Sequence, residues 1–308
     1  MKVTIVGLGL IGGSMAIDLR KTGFATELIG VDLNPHNGQR ALERGLVDRI
    51  EPEDVAFASA DLIILTIPVN ALAALLPSVL DSVKTNTVVM DVGSTKAKIC
   101  KSITDHRKRS QFVAAHPIAG TENSGPDAAF SGLFTGKTTI ICERERSSDH
   151  ALDVAYKVFA ALEMNVIYMQ PEEHDKHVAY VSHLSHVSSF LLGQTVLDIE
   201  KDEKNIFALA GSGFASTVRL AKSSPGMWAP IFEQNMEYLS QALQEYIIHL
   251  QRFQYHLMKR DTKELNRIMT EANHIRRILD GVEGKTPDKN LANANGTTLK
   301  ITQTSNTI

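Results

Sequence analysis

The stretch Lys2-Val3-Thr4-Ile5-Val6-Gly7-Leu8-Gly9-Leu10-Ile11-Gly12 decides the fold. Its first five residues form a short apolar run that reads as a buried strand, and a G-x-G-x-x-G turn follows at once. Met15 and Leu19 then mark the apolar face of a helix, Leu28-Ile29-Gly30-Val31 reads as a second strand, and Asp32 closes it twenty residues past Gly12. Each part has a task in holding a dinucleotide. Gly7 permits a sharp turn, Gly9 lets the backbone approach a pyrophosphate, and Gly12 lets the helix pack closely on the first strand. Leu10 and Ile11 open the helix whose free N–H groups face the phosphates. The Asp32 carboxylate accepts hydrogen bonds from a ribose diol and repels a 2′-phosphate. Leu33-Asn34-Pro35 bring no arginine to offset that repulsion, so the pattern favours NAD over NADP.

Outward from this unit, strand-like runs at 62–67, 87–91, 112–115, 138–142 and 166–169 alternate with helical patterns at 12–22, 35–44, 69–83, 95–108 and 149–162. Alternation of this kind builds right-handed βαβ units and predicts an α/β fold, a doubly wound, mostly parallel Rossmann-type sheet with its ligand at the carboxyl ends of the strands. After Pro171 the pattern changes to long apolar-periodic segments without a strand, at 172–200, 203–210, 213–222, 225–257 and 261–279. The organisation expected is a dinucleotide-binding domain over 1–170 and an all-helical substrate and dimerisation domain over 171–280. The polar tail, 281–308, is rich in Asn, Thr, Gly and Lys, and is expected to have no packed core and no room for a further regulatory domain.

Composition narrows the partners. The 308 residues are 43% hydrophobic and 22% charged with a net charge of -3, which gives no electrostatic footprint for nucleic acid or an anionic membrane. No apolar run is long enough to span a bilayer and no signal segment precedes the first strand, so the expected location is cytoplasmic. Cys100 and Cys142 stand in no C-x-x-C pair and read as buried thiols. The long helical segment from Ile231 through Leu257 reads as the seat of a homodimer contact or as completion of a core.

Three further motifs carry chemistry. Asp91-Val92-Gly93-Ser94-Thr95-Lys96 ends the fourth predicted strand and opens a helix. Taken alone Ser94 is a helix N-cap; at the crevice edge it would sit beside the nicotinamide half of a cofactor. His116-Pro117-Ile118-Ala119-Gly120-Thr121-Glu122 ends the next strand. His116 reads either as a structural histidine or as a neutral imidazole that accepts a hydrogen bond from a hydroxyl while its carbon loses hydride. Four histidines, His174, His177, His183 and His186, follow closely, but no H-E-x-x-H pattern is present and no metal is expected. Helical spacing places Ser182 and His186 on one face. Arg219, between Val218 and Leu220, needs an anion, from the protein or from a substrate. Trp228 is a core residue by default.

Together these residues resemble the prephenate and arogenate dehydrogenases of tyrosine biosynthesis. The resemblance covers roughly residues 1–280 and rests on motifs in order: the glycine turn, Thr66-Ile67-Pro68-Val69, Asp91 to Lys96, His116 to Glu122, Ser182 to His186, and Arg219 with Trp228. It implies an N-terminal dinucleotide-binding domain and a helical domain that dimerises. It also implies NAD-dependent oxidative decarboxylation of prephenate to 4-hydroxyphenylpyruvate. By the same resemblance His116 is the catalytic histidine and Ser94 helps orient it. Arg219 holds the ring carboxylate, and His186, Ser182 and Trp228 line the substrate cavity. Gly7, Gly9, Leu10, Ile11, Gly12, Asp32, Thr66, Pro68 and Asp91 are the positions expected at the cofactor. The chain departs from the family at Gly211-Ser212-Gly213-Phe214, where many relatives carry a run of glycines near the substrate side chain; prephenate and arogenate both remain open as substrates.

Two rivals share the fold. A 3-hydroxyacid or 6-phosphogluconate type dehydrogenase would use a lysine, here Lys176, yet His174-Asp175-Lys176-His177 does not follow that pattern. A non-catalytic dinucleotide sensor would need neither a hydroxyl acceptor at His116 nor a carboxylate clamp at Arg219.

Overall fold

A computed structural model of the chain describes residues 1–201 and 205–282. The opening residues of the helix expected at 203–210, and the tail from residue 283, lie outside the described residues. The first part runs β1 (Lys2–Val6), α1 (Leu10–Lys21), β2 (Glu27–Val31), α2 (Pro35–Glu43), β3 (Arg49–Ile50), α3 (Glu53–Ser59), β4 (Leu62–Leu65), α4 (Val69–Ser82), β5 (Val88–Asp91), α5 (Ala97–Ser102), β6 (Phe112–Pro117), β7 (Thr138–Cys142), α6 (Asp149–Ala161) and β8 (Asn165–Met169). The eight strands form one sheet in the order β3-β2-β1-β4-β5-β6-β7-β8, parallel throughout except between β6 and β7. Strand order reverses between β1 and β4, and that switch point opens a crevice at the carboxyl ends of the strands.

The period-2 alternation of the strands sorts the core into two layers. Val3, Ile5, Leu62, Ile64, Val88 and Met90 face α1 and α6, where Met15, Leu19, Val158 and Phe159 meet them. Val6, Ile63, Leu65, Val89 and Phe112 face the other way, onto Phe57 of α3, Leu72 and Leu76 of α4 and Ile99 of α5. Strands covered on both sides have no polar face, which is why Leu62-Ile63-Ile64-Leu65 is apolar throughout. Cys100 and Cys142 are buried free thiols within the second layer.

After Met169 no strand occurs among the described residues. The helices are α7 (Pro171–Val178), α8 (Leu184–Glu200), α9 (Ser212–Thr217), α10 (Pro225–Gln234), α11 (Met236–Met258), α12 (Thr262–Ala272) and α13 (Ile275–Val282). A π-helical turn, Ala179–His183, joins α7 to α8. The chain divides into two compact units, Met1–Leu243 and Gln244–Ile308. Within the first, Trp228 and Ile231 of α10 join the apolar layer under α4. Within the second, Arg252 and Arg267 both pair with Glu264, and Leu250, Phe253, Ile275 and Ile278 are exposed.

Several boundaries differ from those read in the sequence, and two of them have a local cause at Asp175. The helix expected at 95–108 begins only at Ala97, because the Lys96 and Ala97 N–H groups turn to the Asp175 carboxylate of α7, which caps the helix from outside. The helix expected at 225–257 breaks at Asn235, whose side-chain amide is held by the Asp175 carbonyl and lies 3.0 Å from His183 Nδ1. β3 and α3 were not anticipated; two strand residues are too few to show a period.

Candidate active site

The carboxyl ends of β1, β4, β5 and β6 bring Gly7, Thr66, Asp91 and His116 to one crevice edge. At the glycine turn, Gly7 has a φ of 95°, and its N–H donates to the Val31 carbonyl at 2.8 Å. A side-chain carbon added at Gly9 would meet nothing within 4 Å, whereas one added at Gly12 would strike the Gly7 carbonyl and the Thr66 hydroxyl. Gly9 therefore leaves open room above the turn, and Gly12 is an obligatory close approach. No side chain caps α1, so Leu10, Ile11 and Gly12 open the helix with N–H groups uncovered by any side chain. Asp32 stands after β2 and receives the Leu8 and Asn34 N–H groups at 2.8 Å each. Open space, a bare helix N-terminus and an acid at the second strand end together fit a dinucleotide such as NAD.

Three residues expected at the cofactor have different surroundings. The Thr66 hydroxyl donates to the Val6 and Gly7 carbonyls and so holds the glycine turn. Pro68 is exposed at the start of α4. The Asp91 carboxylate is fully buried, pairs with Lys96 Nζ and accepts the Gly93 and Ala115 N–H groups. That carboxylate braces the β5 turn from beneath, because a buried carboxylate is tolerable only when its lone pairs are occupied.

His116 is the penultimate residue of β6 and keeps 9% of its surface open. Its Nδ1 lies 2.7 Å from His174 Nε2, and His174 Nδ1 lies 2.7 Å from Asp175 Oδ1. Burial pushes the His116 imidazolium well below the usual histidine range, and His174, Lys96 and His183 add to the shift. Burial also lowers His174, although Asp175 opposes it. A neutral imidazole at the end of this sheet can accept a proton from a bound hydroxyl.

A second wall rises from α8 and α10. His186 Nδ1 donates to the Ser182 carbonyl at 3.0 Å, and its ring stacks on Trp228 with centroids 3.5 Å apart. The contact uses the Ser182 backbone and not its hydroxyl. His183 stands edge-on to Trp228 with centroids 5.8 Å apart, and burial lowers its pKa to about 4. Arg219 lies in a 3₁₀ turn instead of an apolar helix face, is about half exposed, and pairs with Glu122 at 2.9 Å. The pair joins the His116 loop to the helical segment. Ser94 is half-buried and does not cap α5. Ser212 is exposed at the start of α9, with no hydrogen bond to these groups among the described residues. No cluster of three or more His, Cys, Asp or Glu suited to a metal ion occurs among the described residues. Sequence reading missed Asp175, Asn235 and Lys96, and gave His174 no role beyond the metal question; the adjacent His174-Asp175 pair just after Pro171 was the signal available.

Comparison with known proteins bears on the fold and the family. The model of the family described as "Prephenate dehydrogenase, nucleotide-binding domain" matches residues 15–168, and that described as "Prephenate dehydrogenase, dimerization domain" matches 170–271. Prephenate dehydrogenase of Bacillus subtilis is 30% identical over 286 residues, covering 90% of this chain and 76% of its own. The crystal structure of Aquifex aeolicus prephenate dehydrogenase with hydroxyphenyl propionate and NAD+ superposes with a TM-score of 0.82 at 31% identity, over 91% of this chain and 98% of that one. Synechocystis arogenate dehydrogenase gives 0.71 at 30% identity, over 91% and 100%. The chain belongs to the prephenate dehydrogenase family.

Proposed function

We propose that this chain oxidises prephenate to 4-hydroxyphenylpyruvate with loss of CO2, using NAD. The observation that carries the reading is the buried, neutral His116 at the carboxyl edge of a dinucleotide sheet, with Nδ1 engaged and Nε2 without a partner among the described residues. Gly7, Gly9, Gly12, Leu10 and Ile11 form the cradle for the pyrophosphate, and Asp32 receives the ribose diol. NAD, when bound, supplies the acceptor for the hydride leaving C4 of the ring. His116 Nε2 takes the hydrogen bond of the C4 hydroxyl as that carbon becomes carbonyl-like, and returns the proton to the phenol oxygen once CO2 has left and the ring is aromatic. Ser94 lies on the β5 turn beside this path and orients the same hydroxyl. Arg219 takes the ring carboxylate, for which Glu122 is the resident stand-in. His186, Trp228, Ser182 and Ser212 face the side chain. Positioning is most of what the protein must add, because aromatisation drives the reaction.

Arogenate, with an amino-acid side chain in place of the pyruvyl group, is the second reading, favoured by the likeness to the Synechocystis arogenate dehydrogenase. The match to a dimerization domain and the exposed apolar residues of α11 to α13 support a homodimer. Among the described residues no helix is long and apolar enough to cross a membrane, and the location proposed is the cytoplasm. The test is His116→Asn in the full chain: activity should fall by roughly 10²-fold or more with NAD affinity unchanged. Equal loss of NAD binding would mark His116 as structural.

A further inference from the structure

We infer that His174 and Asp175 are positioning residues that fix His116 as its Nδ1–H tautomer, and so hold the Nε2 lone pair toward the reacting hydroxyl. The inference rests on the function proposed above and adds two residues that never touch substrate. His174 is fully buried and Asp175 is 2% exposed, so neither reaches a ligand directly.

The assignment follows donor by donor. Asp175 Oδ1 accepts the Lys96 N–H at 2.7 Å, and Oδ2 accepts the Ala97 N–H at 2.9 Å. A carboxylate filled in this way is an acceptor, so the hydrogen in the 2.7 Å contact between Asp175 Oδ1 and His174 Nδ1 belongs to His174. Neutral His174 then has a lone pair on Nε2. That atom lies 2.7 Å from His116 Nδ1, which must therefore carry the next hydrogen. His116 Nε2 is left unprotonated. Without this chain of bonds a neutral histidine favours the hydrogen on Nε2, which would present a donor where the reaction needs an acceptor.

Burial is the largest influence on both rings and disfavours the charged form of each. At His116 the neighbouring His174, Lys96 and His183 act in the same direction, whereas at His174 Lys96 reinforces burial and Asp175 and Asp91 oppose it. Asp175 is itself anchored. Its carboxylate caps α5 just beyond the turn that bears Ser94, and its carbonyl accepts the Asn235 amide at 2.7 Å. One residue thus ties the Ser94 turn, the His116 ring and the start of α11 into a single frame.

The test uses the full-length protein with 15N-labelled histidine and two variants, His174→Gln and His174→Leu. Gln places an amide oxygen near the position of His174 Nε2 and accepts the His116 hydrogen, whereas Leu accepts nothing. The proposal expects the wild-type His116 signals to show protonated Nδ1 and bare Nε2 at neutral pH. His174→Gln should keep kcat within about threefold, and His174→Leu should lower kcat by about tenfold or more with KM and the NAD dissociation constant little changed. A protonated Nε2 in the wild type overturns the proposal, as does a folded His174→Leu with full kcat or with NAD affinity lost in step with kcat. If His174→Leu does not fold, the wild-type spectrum and the Gln variant decide. Absence of turnover by wild type with either prephenate or arogenate would instead refute the function proposed, while the nitrogen signals still report the tautomer.

Discussion

His186 and Trp228 stack with their ring planes 28° apart and their centroids 3.5 Å apart. The stack is held on both sides. His186 is fixed by its bond to the Ser182 carbonyl, and Trp228 is 7% exposed against His183 and Phe232. Because Nδ1 of His186 is a donor, its neutral ring carries a lone pair on Nε2, on the wall proposed to face substrate. Trp228→Leu should raise the KM for the cyclohexadienyl substrate several-fold and leave the NAD dissociation constant unchanged. It should also cost about 2 kcal/mol of stability, read by chemical denaturation, for lost burial and stacking.

Arg219 and Glu122 form a pair on partly exposed side chains, so the pair adds little stability. In the function proposed, its value lies in holding a guanidinium where a substrate carboxylate can replace Glu122. Arg219→Ala should raise KM by roughly tenfold to a hundredfold, the loss of one charge-assisted interaction. Glu122→Gln should leave the melting temperature nearly unchanged and should not raise KM. Steady-state kinetics on both variants check the contrast.

Gly12 shows how a packing rule becomes a binding rule. A methyl group there strikes the Gly7 carbonyl and the Thr66 hydroxyl, both fixed by the same turn. Gly12→Ala should cost about 1–3 kcal/mol and weaken NAD binding by displacing the turn. Gly9→Ala meets no protein atom, so it should fold normally and weaken NAD binding alone. Calorimetric titration with NAD alongside thermal unfolding separates the two.

The buried histidines set a pH signature. His183 titrates near 4 when folded, against about 6.5 when free, so below pH 6.5 the unfolded chain takes up a proton that the folded chain refuses. The stability from keeping it neutral is complete above about pH 6.5 and drains as pH falls toward 4, by about 3 kcal/mol for this residue. His116, His174 and His186 shift in the same direction. The melting temperature should therefore fall steadily between pH 6.5 and 4. While the protein stays folded, kcat should hold well below pH 6.5, because His116 remains neutral. An acid limb in kcat centred at 6.5 or above would contradict the burial of His116.

The Rossmann-type sheet was legible because its signals are local. The first strand, glycine turn, helix and Asp32 fall within 32 residues, and the strands buried on both faces announce themselves as apolar runs. The site was legible only in part. Nothing local states that His174 reaches back 58 residues to His116, or that Asp175 caps a helix 78 residues earlier. Those bonds exist because α7 packs against α5, a tertiary fact without a periodic trace. The burial of the Asp91 carboxylate was hidden for the opposite reason. Its position at a strand end looks like a ligand position, but Lys96, five residues on, folds back to cover it. Arg219 was read as needing an anion, and Glu122 fills that need in a motif already singled out.

The most direct test is the absorbance of reduced nicotinamide when the purified full chain is mixed with NAD and prephenate, with arogenate and with NADP in parallel. The account predicts a rapid signal with prephenate and NAD, a much weaker one with NADP because of Asp32, and none with His116→Asn. Silence with both prephenate and arogenate, in a protein shown to bind NAD, would contradict it.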